Sequence, residues 1–114
     1  MEFDVDLKLT IYRFIAEMAR VPTIAELAPV VKATAAEVRE GYQRLYANRV
    51  LVLDPDGETI RMAPPFSGVP TPHRVRTGGK EYYANCAWDA LGILAALHAG
   101  VEVVRGVVRQ PAEP

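Results

Sequence analysis

Three observations predict an α+β fold, with a winged helix-turn-helix-like three-helix domain and β-hairpin followed by a short β/helix/β segment. Apolar residues recur at helical spacing up to about residue 47. A Pro/Asp/Gly turn then separates two β-favouring runs. Beyond it, a stretch with four prolines leads into a second, shorter alternation of strand-like and helical sequence.

The first element follows from Leu7, Ile11, Phe14, Ile15 and Met18, which share one face of a helix over about Val5 to Arg20, ended by Pro22. Thr23-Ile24-Ala25-Glu26 and Thr34-Ala35-Ala36-Glu37 each place a hydroxyl three residues before a carboxylate. This is the capping-box pattern, and it starts helices at about Ile24–Val31 and Ala35–Ala47. The latter should bury Val38, Leu45 and one of Tyr42 and Tyr46. Val50–Leu53 and Thr59–Met62 flank Asp54-Pro55-Asp56-Gly57 as the two arms of a hairpin.

Pro64, Pro65, Pro70 and Pro72 make residues 63–72 an extended connector. His73–Arg76 and Glu81–Ala84 read as short strands around a Gly78-Gly79 turn. Asn85 is a suitable N-cap for a helix from Cys86 to His98, with Gly100 as its C-cap glycine and His98 as a charge partner for its end. Val101–Val104 and Val107–Val108 read as a final strand. The expected organisation is residues 1–63 as the winged-helix-like domain, 64–72 as connector, 73–110 as a second functional segment, and 111–114 as a frayed tail.

Composition limits the classes open to this chain. Its 114 residues suit one domain or a small domain with an appendage, and a net charge of −1 gives no bulk attraction to nucleic acid or anionic lipid. The longest apolar stretch, Ala90–Ala99, is too short to cross a bilayer. No basic stretch leads into an apolar run at the N-terminus, and one cysteine permits no internal disulfide framework. The expectation is a soluble cytoplasmic protein.

That cysteine, Cys86, stands three residues before Asp89 at the start of an apolar helix. Residues three apart share a helix face, so a thiol and a carboxylate would point the same way. In the first turn the helix dipole favours a thiolate, the form that binds soft metals. A carboxyl beside it is placed to carry a proton. The blander readings are a cysteine packed as a small core residue and an aspartate serving only as a favourable charge at the helix start.

The run Pro70-Thr71-Pro72-His73-Arg74, followed by Tyr83-Ala84-Asn85-Cys86-Ala87-Trp88-Asp89-Ala90-Leu91, resembles the catalytic segment of the alkylmercury (organomercurial) lyases. The helical N-terminal part also looks like that family's leading domain. The resemblance implies protonolysis: thiolates capture the mercury of an organomercurial, an aspartate moves a proton onto carbon, and hydrocarbon leaves while Hg(II) stays bound. On matching positions Cys86 is the mercury-binding thiolate and Asp89 the proton carrier. No cofactor is implied; Hg(II) enters as substrate or product, and an external thiol is required. The family uses a second cysteine further along, and this chain has no other. A second subunit in a homodimer, a small thiol or a complementing polypeptide would supply that sulfur.

Tyr82, Tyr83, Trp88 and His73 are candidates for an apolar pocket around the organic group, against the plainer reading of the aromatics as core and of His73 as ordering its loop. Arg74, Arg76 and Lys80 read as a solvated basic edge. The alternative function is a non-enzymatic winged-helix regulator or interaction module, responsive to metal or thiol through Cys86. Residues 1–62 hold eight Lys/Arg against ten Asp/Glu, and Glu37 and Glu40 stand near the end of the helix that would approach DNA. That balance disfavours DNA as a partner despite Arg39, Arg44 and Arg49.

Overall fold

The computed structural model describes residues 2–97, together with the backbone of residues 102–104 and 107–109. The class is α+β, and the chain forms two compact units, Met1–Ala63 and Pro64–Pro114. Among the described residues no helix is long and apolar enough to cross a membrane.

The first unit opens with helix α1, Glu2–Met18, which buries Leu7, Ile11 and Ile15. It begins earlier and ends earlier than the expected Val5–Arg20. Glu2 and Asp4 favour the positive end of the helix dipole, and Ala19 turns into the left-handed region with φ 55°. Helix α2 covers only Ile24–Leu27, where a longer helix to Val31 was expected. Pro29 offers no N–H to continue the ladder. The chain instead runs on in turns as far as Lys32, which also adopts a positive φ.

Helix α3 spans Ala35–Ala47, as its sequence pattern predicts. Both capping boxes form: Thr23 and Thr34 accept from the backbone N–H groups of Glu26 and Glu37, and those carboxylates accept from the threonine N–H groups in return. At the far end of α3, Val50 N–H donates to Leu45 O and Arg49 N–H to Tyr46 O, with Arg49 in the left-handed region at φ 63°. This is a Schellman closure in which arginine takes the place usually held by glycine.

α1 and α2 both pack on α3. Val38, Tyr42 and Leu45 supply the α3 side of the core, with Leu27, Leu51 and Ile60 around them. Tyr42 is the buried tyrosine of the α3 pair, whereas Tyr46 is exposed. Burial pushes the Tyr42 phenol above its ordinary range, and its hydroxyl donates to Pro22 O at 3.5 Å. Gly41 faces α1 so closely that a Cβ there would come within 2.5 Å of Leu7 Cδ2. On the same flank Arg44 grips Asp4 as a fork, with Nε 2.9 Å from one carboxylate oxygen and Nη2 2.9 Å from the other.

The hairpin of this unit pairs β1, Val52–Leu53, with β2, Ile60–Ala63, in antiparallel register. Asp56 organises its turn by accepting from the N–H groups of Glu58 and Thr59 and from the Thr59 hydroxyl. Gly57 takes the positive φ that closes the turn.

In the second unit, residues 64–72 are not simply extended. Strand β3, Phe66–Ser67, forms within them, because Phe66 bridges to Ala84 and buries its ring against Tyr82. β4, Arg74–Thr77, and β5, Lys80–Tyr83, pair antiparallel around Gly78 and Gly79. Both glycines have positive φ, as a two-residue hairpin turn requires. Helix α4 covers Ala87–Ala96, with Leu97 as its C-cap residue, so it stops short of the expected His98. His98, the Gly100 cap and the tail lie outside the described residues.

Two strands rather than one follow: β6, Glu102–Val104, and β7, Val107–Arg109, pair antiparallel. β7 also runs parallel beside β4, which gives a sheet ordered β5-β4-β7-β6. α4 lies on β4 and buries Ala90, Ile93 and Leu94, spaced as one helical face, close to the buried Val75 of that strand.

Gly41→Ala forces α1 and α3 apart or displaces Leu7 in a packed core. It is expected to cost about 1–3 kcal/mol, seen as a lower urea midpoint with an unchanged slope. Four carboxyls of the first unit are held below their usual range: Glu26 by Arg20, down to about 2, Asp4 by Arg44, Glu37 by the Thr34 N–H, and Asp56 by Thr59. A group whose folded pKa is depressed stabilises the fold above its unfolded pKa and loses that contribution as pH falls. For Glu26 the window runs from about 4.5 down to about 2. Thermal midpoints followed by circular dichroism should fall steeply there, and Glu26→Gln should flatten that fall.

Candidate functional site

The Pro-Thr-Pro-His-Arg block holds the end of β5 in place. The Thr71 hydroxyl donates to Ala84 O at 2.6 Å and accepts from His73 N–H at 3.2 Å. Ala84 N–H in turn donates to His73 O at 2.8 Å. Both backbone groups of Ala84 are thereby satisfied, and the residue is fully buried. His73 thus orders its loop through its main chain, and its own residue is half-buried.

Immediately after this clasp the chain turns from strand into α4. The helix N-cap is Cys86, not Asn85. Cys86 has extended backbone angles, φ −156° and ψ 176°, and its side chain makes no capping hydrogen bond. Its carbonyl accepts the first helical bond, from Ala90 N–H at 3.0 Å. The thiol is exposed, so it is not a core residue.

Asn85 is diverted from capping because its amide reaches backward. Nδ2 lies 3.3 Å from Phe66 O and 3.5 Å from Pro65 O, and 3.2 Å from Asp89 Oδ2. Among the described residues Asn85 Oδ1 is buried with no partner.

Asp89 is the third residue of α4, half-buried and in its first turn. The sequence spacing therefore does put a free thiol at the helix entrance and a carboxylate one turn further in. Of the aromatic candidates, Tyr82 is 3% exposed and packs its ring 5.7 Å from that of Phe66, so it belongs to the core. Tyr83 is half-buried, and Trp88 stands 82% exposed beside Cys86 in sequence. Arg74 and Arg76 both pair with Glu81, at 3.7 and 3.0 Å; they stand on the inner strand β4, on the face opposite the buried Val75, and not on a sheet edge. Among the described residues no group of three or more His, Cys, Asp or Glu side chains is gathered for a metal ion.

Sequence reasoning missed the roles of Thr71 and Asn85. A threonine between two prolines is a signal for a local hydroxyl–backbone bond, but its long-range acceptor, Ala84, becomes visible only once β4 and β5 pair. Asn85 looked like a cap because residue type alone does not reveal the competing carbonyls of β3.

The structure thus brings together an exposed thiol at a helix entrance and, in the first turn beyond it, a carboxylate bonded to Asn85, behind a Pro-Thr-Pro-His-Arg clasp. The alkylmercury lyase family model matches residues 66–110, which contain the clasp, Cys86 and Asp89. Over that segment the chain is similar to the alkylmercury lyases, in agreement with the resemblance seen in its motifs. No curated protein and no solved structure matches the chain.

Thr71→Val keeps the shape of the side chain and removes the bond to Ala84 O. A buried carbonyl left without its donor costs about 1–3 kcal/mol, so amide exchange at Ala84 and Asn85 should quicken by about tenfold or more, with exchange in α1 unchanged.

Proposed function

We propose that this protein cleaves a carbon–mercury bond by protonolysis, with Cys86 as the mercury ligand and Asp89 as the proton carrier. The observation that carries the reading is the family match over residues 66–110 together with an exposed Cys86 three residues before a tethered Asp89. Sulfur is the preferred partner of mercury, and an exposed thiol is open to attack an organomercurial delivered as its thiol adduct.

The Cys86 S–H bond breaks and its proton passes to Asp89, while the thiolate binds mercury. The Asp89 O–H bond then breaks as a C–H bond forms on the organic group, and the C–Hg electron pair stays with carbon. Hydrocarbon departs and Hg(II) remains on sulfur. Because mercury(II) favours two sulfurs and Cys86 is the chain's single cysteine, a small external thiol completes the ligand set and carries the metal away. A partner polypeptide or a second copy of the chain would meet the same need.

Incubation with an organomercurial and excess thiol should release hydrocarbon, measured by headspace chromatography. Cys86→Ser should abolish both mercury uptake and release. Asp89→Ala should keep uptake and slow release by about 10²–10⁴-fold, the usual worth of a positioned proton donor. A rate that depends on thiol concentration supports the external ligand, and one that rises with the square of protein concentration supports a second copy. Mercury uptake by the wild type with no hydrocarbon formed would leave a binding protein and sink the lyase reading.

A further inference from the structure

We propose that Asn85 is a positioning residue that holds Asp89 by one carboxylate oxygen and leaves the other to move the proton; this rests on the lyase reading above.

The assignment comes from counting donors and acceptors. A carboxamide nitrogen has two hydrogens, and the described acceptors around Asn85 Nδ2 are Phe66 O at 3.3 Å, Asp89 Oδ2 at 3.2 Å and Pro65 O at 3.5 Å. The nitrogen is thus committed to β3 on one side and to Asp89 on the other. Rotating the amide by half a turn would set its oxygen against two carbonyls and a carboxylate, all of them acceptors, so the orientation is unambiguous.

Among the described residues Asn85 Oδ1 is buried without a partner. What the residue gains is a fixed donor aimed at the carboxylate.

Consequences for Asp89 follow directly. Its Oδ2 is engaged, and among the described residues its Oδ1 has no hydrogen-bond partner. The two oxygens of a free aspartate are equivalent and exchange by rotation about χ2. Here the Asn85 bond distinguishes them, and it ties the carboxylate to the backbone of β3 as well as to its own helix. Oδ1 is then the atom that takes the proton from the Cys86 thiol and gives it to the substrate carbon. Proton transfer is sensitive to such placement, since a displacement of about 1 Å can cost about 10²-fold in rate.

Two readouts test this, one of them free of any assumption about activity. At neutral pH the Asn85 side-chain amide resonances of the folded protein should shift when Asp89 is replaced by Asn, while the backbone amide of Val75 stays in place. No shift would overturn the contact.

In the hydrocarbon-release assay, Asn85→Ala should lower kcat by about 10–100-fold with KM and mercury stoichiometry unchanged, and the pH–rate profile should move. Asn85→Asp keeps the shape and removes the donor, so it should fall at least as far. Wild-type kcat in Asn85→Asp would overturn the positioning role. If the wild type releases no hydrocarbon, the lyase reading fails and the catalytic part of this proposal fails with it, whereas the amide resonances still decide whether Asn85 holds Asp89.

Discussion

The hydrogen bonding of three consecutive residues, Ala84, Asn85 and Cys86, is what the second unit depends on. A strand ends and a helix begins within them, and such a junction ordinarily frays. Here Ala84 is held through both its backbone groups by Thr71 and His73, and Asn85 is held through its side chain by carbonyls of β3. With those two residues immobilised, Cys86 has nothing left to do structurally beyond starting α4 with its carbonyl. Its sulfur is consequently free and faces solvent. Chemical availability at one residue arises from over-determination of the two before it.

The first unit combines local, repeated determinants with a few long-range ones. Two threonine–glutamate boxes start two helices, an Arg44–Asp4 fork joins α3 to α1, and Gly41 removes the one side chain that would hold those helices apart. Only the two capping boxes are announced by spacing; the fork and the Gly41 approach appear once α1 and α3 pack. Charge-assisted hydrogen bonds hold four of the unit's carboxyls, those of Asp4, Glu26, Glu37 and Asp56, below their usual range.

This contrast explains how much could be read beforehand. Helix α3 and both capping boxes were legible because three- and four-residue spacings encode them completely. The hairpin turns were legible from Gly57, Gly78 and Gly79, which supply backbone angles that other residues adopt at a cost. The Cys86–Asp89 pair was visible as a motif. The cap was misread because the choice between Asn85 and Cys86 is settled by the β3 carbonyls about twenty residues earlier, and no local pattern contains them. The connector was read only in part: prolines argued for extension, and the bridge from Phe66 to Ala84 pairs segments that no local pattern joins. Tyr82 and Trp88 show the same limit, since two aromatics six residues apart end at opposite extremes of burial.

Trp88 is the chain's single tryptophan, two residues beyond its single cysteine, and its indole is bathed in water. Indole emission is quenched by a nearby heavy nucleus through spin–orbit coupling. A heavy atom bound at Cys86, as proposed above, would therefore be expected to dim the Trp88 emission. Steady-state fluorescence can follow loading and departure in real time, with no label attached.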